Sequence, residues 1–159
     1  MRATAFIALL SLGVGEQSRA ARVEHVRLIA IVSRAQTVSD VSLGDLRRIY
    51  VAEITRWPSG HRIIPVMLTP EREESQMFLR HVVKMSAIDY AQEWIGAVFR
   101  GRVSAPPVMV SNAADAARFV AAHADAIAFV PATASPIADV RILRIDHHSP
   151  DEAEYALAW

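Results

Sequence analysis

The run Val26-Arg27-Leu28-Ile29-Ala30-Ile31-Val32 is rich in β-branched side chains and almost continuously apolar. A strand with one solvated face alternates apolar and polar residues, whereas a strand covered on both faces does not. The run therefore predicts a β-strand that is buried on both faces.

Predicted strands and helices alternate along the rest of the chain, without an internal repeat. Strands are expected at 62–68, 108–110, 126–130 and 140–145, and helices at 42–50, 71–84, 86–99 and 111–123. Pro65 is expected at a sheet edge or bulge, because proline lacks the N–H that an interior strand donates. Separate strands linked by helices favour an α/β domain, a layered mixed or parallel sheet flanked by helices.

Length and composition exclude several classes of protein. The chain has 159 residues, of which 52% are hydrophobic and 21% charged, so it suits one globular domain and not a disordered segment. Seventeen basic and seventeen acidic residues cancel, which leaves no overall field to attract nucleic acid or an anionic membrane. The absence of cysteine excludes disulfides, thiolate zinc sites and a cysteine nucleophile. No apolar run reaches the roughly 18–20 residues of a membrane span.

The first twenty residues have the pattern of a secretory signal peptide. Arg2 precedes the apolar run Ala3–Val14, and Ser18-Arg19-Ala20 has small residues at its first and third positions. Cleavage after Ala20 predicts an exported protein, periplasmic or extracellular, with a domain over 21–145 and an unplaced tail over 146–159. The alternative is an N-terminal helix or strand that docks on the domain.

No arrangement of residues indicates catalysis or a cofactor. The chain lacks a nucleophile elbow, a phosphate-binding glycine loop and a dinucleotide fingerprint. His147 and His148 lie near acidic residues, but adjacent side chains of an extended segment point apart, which favours a solvated segment over a metal site. We therefore expect no enzymatic activity, no metal and no cofactor.

The tryptophans Trp57 and Trp94 are candidates for stacking on a ligand. Apolar neighbours, including Tyr50, Ile95 and Phe99, favour core packing for both instead.

Three blocks of sequence resemble a known family. They are Ser42–Tyr50 continued by Glu53–Gly60, then Ile64–Val66 with Phe78-Leu79, then Phe119-Val120 with Asp125–Val130. In this order and spacing they resemble the phosphate-type periplasmic substrate-binding proteins of ABC transporters, and in particular their small stand-alone relatives. The resemblance covers about two thirds of the chain.

The resemblance implies one lobe of a two-lobed, type II binding protein. Members of the family hold their ligand between two lobes, and this chain resembles the stretch that builds the second. The implied ligand is phosphate or another small oxyanion. The alternative is a non-catalytic module without a small-molecule ligand that contacts an envelope or transporter protein.

The resemblance also implies candidate ligand residues. The family's second lobe contacts its anion through a Ser-Gly-Thr turn at a helix N-terminus, often preceded by arginine. Thr69, Arg72 and Ser75 match this region, although the Gly-Thr step is absent. Ser33 and Arg34 form a second candidate, because they follow a predicted strand at its carboxyl end.

Glutamates crowd the helix start at the first candidate site. Glu71, Glu73 and Glu74 stabilise the positive end of the helix dipole, as a bound anion would, and they repel an anion. We therefore expect phosphate to bind weakly or not at all.

Overall fold

The computed structural model describes residues 26–159, so the predicted signal peptide over 1–20 lies outside the described residues. The strands are β1 (Leu28–Ser33), β2 (Asp40–Val41), β3 (Ile64–Leu68), β4 (Val108–Val110), β5 (Ala126–Pro131), β6 (Val140–Ile142) and β7 (Arg144–Ile145). The helices are α1 (Leu43–Tyr50), α2 (Glu73–Phe78), α3 (Ala87–Phe99) and α4 (Ala113–Ala122). A π-helical turn over Leu79–Val83 continues α2, and a 3₁₀ turn over Ala132–Ala134 follows β5.

Five strands form one mixed sheet in the order β4-β3-β5-β1-β6. Strand β3 runs parallel to β4 and β5, whereas β1 runs antiparallel to β5 and β6. All six residues of β1 are buried, which confirms the prediction of a strand covered on both faces.

Each face of the sheet carries an apolar layer. One layer is built from α1, α2, the π-helical turn, α3 and the C-terminal segment, and the other from α4. In the first layer the rings of Phe78 and Phe129 stack with centroids 3.9 Å apart. The Tyr50 hydroxyl lies 3.1 Å from the Val66 carbonyl oxygen, so a buried polar group has a partner. The predicted α/β class, a mixed sheet flanked by helices, is confirmed.

Local sequence signals mark the start of α1 and both ends of α3. The Ser42 side chain accepts a hydrogen bond from the Asp45 N–H at the start of α1, as the capping pattern predicts. Ser86 caps α3 in the same way, and Gly101 follows that helix with a left-handed φ of 70°.

Three boundaries differ from the predictions. The helix expected over 71–84 begins at Glu73, because Pro70 and the two residues after it form a turn. The strand expected over 140–145 is split into β6 and β7, which pair with different neighbours. Pro65 lies in an interior strand and not at an edge, but β4 pairs with β3 only from Val66 onward. The missing N–H of Pro65 therefore leaves no partner unsatisfied on the β4 side.

The segment after Asp146 packs on the domain although it forms no regular element. Tyr155 and Leu157 are buried, and the Leu157 carbonyl accepts a 2.9 Å hydrogen bond from the Leu28 N–H. At the end of the chain, Trp159 donates its N–H to the Val26 carbonyl at 2.9 Å. This segment therefore covers the start of β1.

The prediction that both tryptophans pack in the core is confirmed, but two of their apolar neighbours on α3 are exposed. Trp57 and Trp94 are buried as expected, and the Trp94 indole donates to the Tyr50 carbonyl at 2.8 Å. Ile95 and Phe99, in contrast, are 69% and 91% exposed. Helical periodicity shows that a side of α3 is apolar, but it does not show whether another element covers that side.

No helix within residues 26–159 has the length and apolar character needed to cross a membrane.

Candidate functional site

The two predicted groups of ligand residues lie at opposite ends of the sheet. Strands β3, β4 and β5 are parallel, so their carboxyl ends meet at one end of the sheet, which we call the carboxyl end. Thr69 follows β3 there, whereas Ser33 ends the antiparallel β1, and Arg34 follows it, at the other end. A six-residue strand is about 17 Å long at roughly 3.3 Å per step. The two groups therefore cannot hold one small ligand together.

Two helix starts meet at the carboxyl end. The Thr69 N–H donates to the Val110 carbonyl at 3.0 Å, which places the loop before α2 beside the loop before α4. Helix α2 begins after Arg72, and α4 begins after Asn112. Helix N-termini present free N–H groups and positive dipole ends, so this end of the sheet is the place where an anion would be attracted.

The Arg72 guanidinium is engaged by a carboxylate of its own chain. Its Nη2 and Nε atoms lie 2.9 Å and 3.2 Å from the two carboxylate oxygens of Glu74. This is the bidentate geometry with which arginine also recognises phosphate. The Glu74 side chain is only 13% exposed, while that of Arg72 is 46% exposed.

The environment of Glu74 favours its charged form. Burial of the carboxyl raises its pKa. Hydrogen bonds from Arg72 and from the backbone N–H of Glu74 lower the pKa, as does the positive charge of Arg72, and together they outweigh burial. The net pKa of Glu74 lies below the ordinary glutamate range. At neutral pH the start of α2 therefore carries an ionised carboxylate.

The Ser75 hydroxyl is used inside the protein. It donates a 2.7 Å hydrogen bond to the Leu68 carbonyl oxygen, and the residue is completely buried. The bond fastens α2 to the last residue of β3. Thr69, Arg72 and Ser75 are thus brought to one end of the sheet, but the arginine and serine side chains have partners within the domain.

Helix α4 carries a second carboxylate of the same kind, which the sequence search for ligand residues did not single out. Asp115 accepts hydrogen bonds from the Asn112 side chain at 2.9 Å and from the Arg118 guanidinium, and its N–H donates to Asn112. The sequence signal is an N-cap asparagine followed three residues later by an acid. Both helix starts at the carboxyl end therefore have acidic side chains of their own.

The second predicted group forms a local turn. The Ser33 hydroxyl accepts a 3.3 Å hydrogen bond from the Ala35 N–H, and Ser33 itself is nearly buried. Arg34 is exposed, and its N–H donates to the Asp139 carbonyl at 3.2 Å. These contacts shape the turn after β1 and hold it against the segment before β6.

A pocket with charged side chains in a mostly apolar wall, which the sequence did not predict, lies at the end of the sheet opposite the carboxyl end. It has a volume of about 450 Å³ and includes Arg62, Arg102 and His61 in its wall. His61 lies 3.4 Å from the Asp125 carboxylate, and Arg62 donates to the Ser104 hydroxyl at 3.2 Å. Arg102 pairs with a glutamate of α3, so the cations of this pocket also have internal partners.

An apolar groove of about 580 Å³ separates α3 from the edge strand β4. Tyr90, Trp94, Leu79 and Met67 form its floor and walls, with Met109 at the β4 side. The groove has no convergent polar groups and is suited to apolar contacts. The acidic and histidine side chains within residues 26–159 form no group of three with the geometry of a metal site.

Neither the scan of protein families nor the search of curated proteins produced a match. Solved structures do match. One is an ABC-type phosphate transport receptor from Vibrio cholerae, with TM-score 0.67 and 17% identity over 84% of this chain and 54% of that chain. A second is PstS from Borrelia burgdorferi, with TM-score 0.67 and 12% identity over 84% of this chain and 55% of that chain.

A third structure, from Clostridium perfringens, is provisionally described as a phosphate ABC transporter substrate-binding protein with bound phosphate. It has TM-score 0.63 and 16% identity over 79% of this chain and 47% of that chain. The chain spans about half the length of these proteins. It therefore has the α/β fold of one part of the phosphate-transport binding proteins, as the three sequence blocks predicted.

Proposed function

We propose that this chain is an exported, non-catalytic domain derived from phosphate-type substrate-binding proteins, in which small-anion binding is weak or lost. The observation that carries the proposal is the bidentate contact between Arg72 and Glu74 at the start of α2. The resemblance implies that Arg72 would bind the anion, and a carboxylate of the same chain already accepts its hydrogen bonds. The predicted signal peptide over 1–20 supports export to a periplasm or the cell surface.

Phosphate has to displace Glu74 from the Nε and Nη2 atoms of Arg72, or bind the remaining Nη1 side of the guanidinium beside the ionised carboxylate. In both cases the Glu74 charge lies close to the anion. Two like charges about 4 Å apart repel by about 1 kcal/mol in water and about 4 kcal/mol at an effective dielectric constant of 20. Such a penalty weakens binding by roughly fivefold to a thousandfold. Ser75 cannot offset it, because its hydroxyl donates to Leu68 and lies in the interior.

A thermal-shift series with phosphate and other oxyanions tests the proposal. The wild-type chain is expected to show no rise in melting temperature, while Glu74→Gln, which removes the competing charge, gains a rise with phosphate. Glu71→Gln is the matched control, since it removes an exposed charge from the turn before the same helix and leaves the Arg72–Glu74 contact in place, so any rise that it shows measures general repulsion alone. A clear rise in the wild-type protein would contradict the proposal, because ligand at a hundred times its dissociation constant adds about 2.7 kcal/mol.

The second candidate function is an interaction module without a small-molecule ligand. The exposed apolar side chains of α3 beside the groove favour it, because an isolated domain rarely leaves such a surface uncovered. An oxyanion series that leaves both the wild type and Glu74→Gln unchanged would select this candidate over the first.

A further inference from the structure

The surface formed by α3 and β4, here called the α3–β4 face, is unusually apolar. Ile88, Ile95 and Phe99 of α3 are 72%, 69% and 91% exposed, and Met109 of β4 is 47% exposed. Ile95, Phe99 and Met109 line the same apolar groove, and exposed apolar patches of this kind mark interaction sites on monomers. A standard interface buries about 800 Å² of each partner, more than these four side chains supply, so the groove and its polar rim would contribute the rest.

Strand addition at β4 is an unfavourable way to cover this face. The Val110 carbonyl points toward β3 and accepts a hydrogen bond from the Thr69 N–H. Successive residues of a strand direct their N–H and carbonyl groups to opposite sides, so within β4 only Met109 directs both groups outward. Pro106 and Pro107 precede the strand and have no N–H to donate. A partner is therefore expected to pack side chains against the face and not to extend the sheet.

Helix α3 of a second copy of the chain is suited to pack against this face. Ile88, Ile95 and Phe99 are spaced by seven and four residues, which places them in one stripe along the helix. The thirteen residues of α3 span about 20 Å. A second copy of the chain presents the same stripe and the same groove, so the face is complementary to itself under a twofold axis.

Charges at the two ends of α3 define the direction of packing. Asp89 and Arg100 are eleven residues apart, which places them on the same flank of the stripe and near opposite ends of the helix. In an antiparallel twofold pair Asp89 of one copy lies opposite Arg100 of the other. In a parallel pair the flank that carries both residues lies on opposite sides of the seam in the two copies, so Asp89 and Arg100 do not meet. Arg100 now contacts Glu93 at 3.4 Å, an exposed pair that is easily exchanged.

We propose that the chain forms a twofold-symmetric dimer in which the α3–β4 faces of two copies pack with their α3 helices antiparallel. The dimer is independent of the phosphate proposal, since the face and the start of α2 use different side chains. Residues 1–25 of the same chain are the alternative occupant of the α3–β4 face, and the experiments distinguish this segment from a second copy.

Sedimentation velocity and light scattering of the full chain, from low micromolar to near-millimolar concentration, test the proposal. The wild type is expected at twice the chain mass. Phe99→Asp should raise the dissociation constant by more than about tenfold. Ile142→Asp is the control, because it places the same charge at an exposed apolar position on the other edge strand and should leave the dimer intact.

A charge exchange at two exposed residues tests the antiparallel arrangement. Because Asp89 also accepts a 2.7 Å hydrogen bond from the Ser86 hydroxyl at the start of α3, the unfolding of each variant is measured beside its dissociation constant. Asp89→Arg and Arg100→Asp should each weaken the dimer, and the double variant should restore it. A monomer at every concentration, or a Phe99→Asp chain that stays dimeric, would overturn the proposal. A full-length chain that is monomeric, but that dimerises when it starts at residue 26, would assign the face to residues 1–25 instead. A double variant that fails to recover would overturn the antiparallel geometry.

Discussion

Replacing Ser75 with alanine separates a structural role of this serine from a role in binding. The hydroxyl donates a 2.7 Å hydrogen bond to the Leu68 carbonyl, and both residues are essentially inaccessible to solvent. Loss of the donor leaves a buried carbonyl without this partner, which costs about 1–3 kcal/mol. For a domain of this size that corresponds to a fall in melting temperature of roughly 3–4 °C per kcal/mol.

Urea unfolding followed by tryptophan fluorescence measures this change directly. Ser111→Ala is the matched control, because Ser111 is exposed at the same end of the sheet and its loss should alter stability by less than about 0.5 kcal/mol. The reasoning is refuted if Ser75→Ala keeps wild-type stability. It is also refuted if the main effect of the variant is a loss of phosphate binding, since the hydroxyl would then be a ligand.

The remaining predictions concern the helix start, the C-terminal segment and the α3–β4 face. Because the folded pKa of Glu74 lies below its ordinary range, the ionised carboxylate stabilises the fold at neutral pH, and this contribution is lost as the pH falls through the folded value. Glu74→Gln should therefore flatten the acid side of a stability–pH profile, and an unchanged profile would contradict the Arg72 contact. Leu157→Ala should cost about 2–5 kcal/mol in urea unfolding, because Leu157 is completely buried beside β1; a loss under 1 kcal/mol would show that the segment is not part of the core. Phe99→Asp should convert a dimer to a monomer without destabilising the chain, since the ring is 91% exposed.

Helix caps and central strands could be predicted because their signals are local. The side chain of Ser42 bonds to a backbone N–H three residues away, and this geometry needs no other part of the fold. The continuous apolar run of β1 likewise indicates burial on both faces, because apolar side chains on both sides of a strand require apolar cover on both sides, whichever elements supply it.

The candidate site was only partly predictable because it depends on strand direction and on tertiary partners. Ser33 ends β1 and Thr69 follows β3, but the antiparallel direction of β1 places them at opposite ends of the sheet. The partner of Ser75 is a carbonyl of another element, which sequence spacing does not reveal. The exposure of Phe99 was missed because an apolar helix side has the same pattern whether it is covered or not.

The central claim is that an intramolecular carboxylate holds the arginine on which an anion would depend. Titration calorimetry of the wild-type chain with inorganic phosphate measures this most directly. We predict no saturable heat at micromolar phosphate, and a measurable affinity only after Glu74→Gln. Micromolar binding by the wild type, with no gain in the variant, would contradict the claim.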